Sequence, residues 1–138
     1  IKDFEKPILI GVHLNNKGYL PSGEIINDLI PITNNYNTCG IIAACVSPEI
    51  VNLAMPQLTN QKLPFGFKVN AFKNIPENDP LDADLYDNGY PTERYGTRAK
   101  EFNPEVFKKF VQDKLKDGAT LLGGCCEIKP RHIKALTK

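Results

Sequence analysis

Short apolar runs that alternate with amphipathic stretches predict an α/β fold built on a parallel sheet with covering helices. Two further observations sharpen this. The first run, PILIGV (Pro7 to Val12), carries no charge, as expected of a strand covered on both faces. Two helical stretches open on a polar residue followed by Pro and Glu, a strong helix start directly after or before a strand. Four such units are half of a (β/α)8 barrel. They also suit a small open sheet, and pattern alone does not separate the two.

The elements follow in order. After the first strand comes a loop with Asn15, Asn16, Gly18 and Pro21. Ser22 is placed to cap a helix whose apolar positions are Ile25, Ile26, Leu29 and Ile30, with Pro31 kinking or ending it. GIIAAC (Gly40 to Cys45) reads as a short buried strand. Ser47-Pro48-Glu49 then starts a helix with Ile50, Val51, Ala54 and Leu58 on one face. A third strand spans roughly 64 to 70, and residues 71 to 102 read as a long loop. Asn103-Pro104-Glu105 starts the clearest helix, with Val106, Phe107, Phe110, Val111 and Leu115 as its apolar stripe and Gly118 as its end. Ala119 to Gly124 forms the last strand, and Pro130 opens a short helix to about Leu136.

Composition narrows the function classes. The 138 residues make about one domain. A hydrophobic share of 41% is enough for a core, and a net charge of +1 offers no basis for nucleic acid or an acidic membrane surface as partner. No apolar run approaches the roughly 18 residues of a membrane-spanning helix. The charged opening IKDFEK does not read as a signal peptide, so a reducing, cytoplasmic setting is expected. The chain begins at Ile1 and enters a strand almost at once, which suggests a piece of a longer protein.

Cysteine placement carries the chemistry. Ligands of parallel α/β folds meet the C-terminal ends of the strands. Cys45 follows the second strand, and Cys125 and Cys126 follow the fourth, whereas Cys39 precedes the second. Adjacent Cα atoms lie about 3.8 Å apart, too close for an unstrained disulfide between Cys125 and Cys126. Three thiolates would make a soft site suited to zinc with one coordination position open. His13, at the end of the first strand, is the one histidine near enough to be considered as a fourth ligand; it reads as a loop residue at the mouth. The bland alternative for the cysteine pair is two small buried hydrophobes. Successive strand residues point to opposite faces, so a shared metal requires the backbone to leave extended geometry, which Gly123 and Gly124 would ease.

GATLLGGCCEIKPRHIKAL (Gly118 to Leu136) resembles the closing segment of homocysteine S-methyltransferases, where Gly-Gly-Cys-Cys ends the eighth barrel strand and a Pro-x-His-Ile helix follows. IIAACVSPEIV (Ile41 to Val51) is similar to the sixth-strand segment with its single cysteine, PILIGVHL to the fifth, and LPFGFKVNAF to the seventh, with Asn70 at a recurrent asparagine. The resemblance runs through nearly the whole chain in order. It implies that residues 1–138 are the C-terminal half, strands five to eight, of a TIM-type barrel. It further implies that Cys45, Cys125 and Cys126 bind Zn2+, with Gly123 and Gly124 as the hinge presenting the pair. Asn70, Gly123 and Gly124 would face the substrate. The implied reaction transfers a methyl group from a small donor (an S-methyl sulfonium, betaine or a methylfolate) to homocysteine, forming methionine. No catalytic side chain beyond the metal ligands is implied. Two positions depart from the family pattern: Ala44 stands where Asn is common, and Glu127 where Gly commonly follows the cysteine pair. The first four strands have no counterpart here and supply much of the family's amino-acid pocket, so activity is expected of a longer parent.

Two other readings stand beside this one: a non-catalytic half-barrel with exposed apolar strand edges, and a redox protein using Cys125 and Cys126. His132 reads as packing. Tyr86, Tyr90 and Tyr95 either line a mouth or pin the long loop, and Glu93 and Arg94 in that loop have no partners that sequence can name.

Overall fold

The computed structural model describes residues 5–75, 91–98 and 100–137, including only the backbone of Pro91 and Thr92. Its centre is a four-stranded sheet in the order β1-β2-β3-β4, with every neighbouring pair parallel. The strands are β1 (Ile8–Val12), β2 (Thr38–Val46), β3 (Phe65–Val69) and β4 (Leu121–Gly124). A sequential, all-parallel order with no switch point is the order of consecutive barrel strands and is consistent with half of a (β/α)8 barrel.

Local chemistry explains the helices that sequence reading placed well. In α2 (Pro48–Thr59) the Ser47 hydroxyl accepts from the Ile50 N–H, and Pro48 occupies the first turn, where a missing N–H costs nothing. In α4 (Pro104–Lys116) the Asn103 side chain accepts from the N–H groups of Glu105 and Val106. Gly118, at φ 95°, ends it. The last helix, α5 (Pro130–Ala135), packs on α4.

Other expectations are corrected. Ser22 caps nothing; its hydroxyl bonds Glu24 instead. The turn starts later, as a 3-10 segment Ile26–Leu29 whose entrance is closed by the Asp28 carboxylate accepting from the Ile25 N–H. Pro31 does not end a helix but lies in the first turn of α1 (Ile30–Thr33), where proline is tolerated. The second strand begins at Thr38, so Cys39 lies within β2 rather than before it, at a register shift opposite the Ile8/Leu9 step. The stretch read as loop from 71 to 102 contains α3 (Pro91–Tyr95) and an antiparallel bridge between Phe72 and Thr97. Tyr86 and Tyr90 lie outside the described residues. Tyr95 is buried and packs edge-on against Phe72, so it pins this segment down. The stripe of α4 is narrower than expected: Phe107 and Val111 are buried, but Val106 and Leu115 are exposed.

The core lies on the sheet, joining Ile41, Ala43 and Val46 of β2, Phe65, Phe67 and Val69 of β3, Val51, Ala54 and Leu58 of α2, and Phe107 and Val111 of α4. Phe102, Phe107, Phe110 and Phe67 form a chain of edge-to-face rings, which fixes α4 across the sheet. His132 extends it. It is fully buried, its ring is edge-on to Phe107, its Nδ1 accepts from the Lys129 N–H and its Nε2 donates to the Phe102 carbonyl. With both nitrogens satisfied it is a packing residue, as expected. β1 and β4 are the sheet's edges, and Leu9 on β1 is 47% exposed. Replacing Phe107 by Ala is expected to cost about 3–5 kcal/mol, since it removes the fully buried ring that joins Phe102 to His132, and urea denaturation would measure it.

Candidate metal centre

Three sulfurs meet above the C-terminal end of the sheet. The Sγ of Cys125 lies 2.9 Å from that of Cys45, and Cys126 Sγ lies 3.8 Å from each of the others. Among the described residues these three form a group whose donor atoms all fall within 4.8 Å, with Cys45 and Cys125 half-buried and Cys126 exposed. All four cysteines are free thiols, and Cys39 is exposed outside the group. His13, exposed at the end of β1, lines a neighbouring cavity but does not join the sulfurs.

Convergence requires departures from strand geometry. Ala44 pairs with Lys68 and Val46 with Val69, which leaves Cys45 as the extra residue of a bulge. Its φ is +56°, a left-handed conformation that costs a non-glycine residue about 1–2 kcal/mol. The hinge at the other end differs from expectation. Gly123 and Gly124 stay in β4, and neither has positive φ. The chain turns after them, and the left-handed residue is Glu127, at φ +65°. The position where Gly is common is thus a left-handed position, occupied here by Glu. Gly124 is needed for space: a Cβ there would lie 2.2 Å from the Ile128 side chain, whereas one at Gly123 would meet nothing within 4 Å.

The segment after β3 braces both arms. Val69 accepts from the Cys125 N–H at 2.6 Å, and the Ala71 N–H donates to the Cys126 carbonyl at 3.0 Å. Asn70, 1% exposed, donates from its backbone to the Val46 carbonyl and from Nδ2 to the Cys45 carbonyl at 2.8 Å.

Without a cation, the surroundings of Cys45 and Cys126 favour the protonated thiols. Burial, then hydrogen bonding with Cys125 and the charges of Cys125 and Cys126, pushes Cys45 up to about 12. Burial, then the Cys125 charge, also raises Cys126. Like groups this close oppose one another's ionisation, and a dication among them would reverse that preference. The donor set fits zinc. Tetrahedral coordination at about 2.3 Å from sulfur gives S···S edges of about 3.8 Å, which matches two of the three separations. The third, between Cys125 and Cys45, is shorter at 2.9 Å.

Beside Cys45 opens a cavity of about 390 Å3, lined by the loop after β1, the first turns of α2 and the segment after β3. Arg98 forms part of its wall. Its Nε donates to the Phe72 carbonyl at 3.0 Å and Nη1 pairs with Glu49 at 2.6 Å. Desolvation pushes the Glu49 carboxyl up, but hydrogen bonds from Arg98, its own backbone and Ser47, with the Arg98 charge, outweigh it and hold the group below its ordinary value. Sequence reading missed Arg98, which lies in a stretch without periodicity, and took Glu49 only for a helix-start residue.

A model of the homocysteine S-methyltransferase family matches residues 1–138. The chain belongs to that family. A search of curated proteins returned no match. Membership brings methyl transfer as the family's chemistry. No helix among the described residues is long and apolar enough to cross a membrane.

Two measurements follow from this geometry. Gly124→Ala is expected to destabilise the fold by about 1–3 kcal/mol, and Gly123→Ala to stay within about 1 kcal/mol of the parent, by urea denaturation. The Glu49–Arg98 contact stabilises the protein above the ordinary carboxyl value of 4.5 and is lost as the pH falls through the lowered one. The denaturation midpoints of Glu49→Gln and the parent should therefore differ at neutral pH and converge in acid.

Proposed function

We propose that residues 1–138 are the C-terminal half, strands five to eight, of a zinc-dependent homocysteine S-methyltransferase barrel, and that the intact protein methylates homocysteine to methionine in the cytoplasm. The observation that carries this is the convergence of Cys45, Cys125 and Cys126 at the strand ends of a chain in this family.

In this reading the three cysteines hold Zn2+ as thiolates. Bound zinc would supply the Lewis acidity that ionises the homocysteine thiol at neutral pH, so that no protein side chain need serve as general base. Three anionic ligands leave the centre with a net negative charge, which keeps an incoming sulfur electron-rich. The exposed face of Cys126 leaves an approach open. Asn70, which lines the cavity beside Cys45, and the unobstructed Gly123 lie on the substrate's route, with Gly124 beside them. In the transfer the homocysteine sulfur forms the new bond to the methyl carbon. The bond to the donor heteroatom breaks, and its electrons stay with the donor. A sulfonium, betaine or methylfolate donor suits this equally.

The rival dithiol reading rested on adjacency of Cys125 and Cys126. Cys125 Sγ lies nearer to Cys45 Sγ than to Cys126 Sγ, which favours a site that includes Cys45 over one made by the adjacent pair alone. Elemental analysis of the purified protein is expected to find about one zinc per chain, lost in Cys126→Ser. A zinc-loaded intact protein that methylates homocysteine from none of the three donor classes would sink the reading.

A further inference from the structure

We propose that Asn70 is a positioning residue for Cys45: it holds the chain in the left-handed bulge from which the Cys45 sulfur reaches Cys125 and Cys126. Its consequence for metal binding rests on the zinc reading above. The positioning itself rests on backbone geometry.

A regular strand would place Cys45 on the same face as Ala43, which is fully buried in the core. The bulge re-aims the side chain, but it sets a non-glycine residue at φ +56°. Such a conformation persists only where its surroundings over-determine it. Beside the strand pairing that flanks the bulge, Asn70 supplies two of the restraints. Asn70 donates to the Cys45 carbonyl through Nδ2 at 2.8 Å and to the Val46 carbonyl through its own N–H at 3.0 Å. The carbonyls of two successive residues, Cys45 and Val46, are thereby fixed. The amide is fixed in turn, because its Oδ1 accepts from the Phe72 N–H at 3.3 Å and the residue is buried. The site needs a short side chain with a donor at one corner and an acceptor at the other, which Asn provides. Asp keeps the shape and the acceptor but offers no donor to Cys45, and Ala offers neither.

Asn70→Asp and Asn70→Ala in the intact protein test this, with far-UV circular dichroism confirming the fold. In the metal-free state the Cys45 carbon chemical shifts report its backbone directly. They are expected to move from left-handed towards extended values in both variants. Zinc competition against a chelator should show about 10–100-fold weaker binding, the scale of losing a residue that orients a ligand. The thiolate-to-cobalt absorption of the Co(II)-loaded protein should fall by about a third, as one of three thiolates drops out. Should Asn70→Ala not fold, Asn70→Asp decides alone. Unchanged Cys45 shifts with parental zinc affinity in folded Asn70→Asp would overturn the proposal and leave the zinc reading standing. Shifted Cys45 resonances in a protein whose parent binds neither zinc nor cobalt would uphold the positioning role and overturn the zinc reading.

Discussion

The site depends on how the end of β3 is gripped from both sides. Cys45 and Cys125 belong to strands separated by β3, and next-but-one strands lie about 10 Å apart. Their sulfurs nevertheless meet at 2.9 Å. Both chains must therefore leave their strands and lean over the end of the one between. Val69, Asn70 and Ala71 make this possible, with hydrogen bonds to Cys45 and Val46 on one side and to Cys125 and Cys126 on the other. A sheet of different strand order would not bring these arms together.

Burial and charge then set the character of the site. The sulfurs are crowded and partly desolvated, which favours the neutral thiols of Cys45 and Cys126 until a cation offsets the repulsion. The same crowding is of the kind that could hold a soft cation. The wall beside it is stiffened by Arg98, which joins the segment after β3 to the first turn of α2. That cation ties together the parts of the chain that frame the cavity next to Cys45.

Much of the fold was legible because its signals are local. Ser47-Pro48-Glu49 and Asn103-Pro104-Glu105 start helices where their caps predict, since a cap needs only its own next three residues. Apolar runs found all four strands, though β2 begins earlier than its apolar residues do. Ser22 misled because its hydroxyl had a nearer partner in Glu24. Val106 and Leu115 misled because periodicity states which face is apolar, not how wide a stripe the sheet covers. Asn70 and Arg98 act on residues 25 and 49 positions away, and no window along the chain contains such pairs.

The sequence by itself determined the alternation of strands and helices, and with it the three cysteines at strand ends. Hydrophobic periodicity and capping are properties of neighbouring residues and survive without tertiary context. Only the tertiary structure decided that Cys45 leaves its strand at a left-handed bulge, that Glu127 rather than a glycine takes the turn after the pair, and that Asn70 faces the Cys45 carbonyl. Those outcomes follow from register and from contacts between distant segments, whose energies exist only once the sheet has formed.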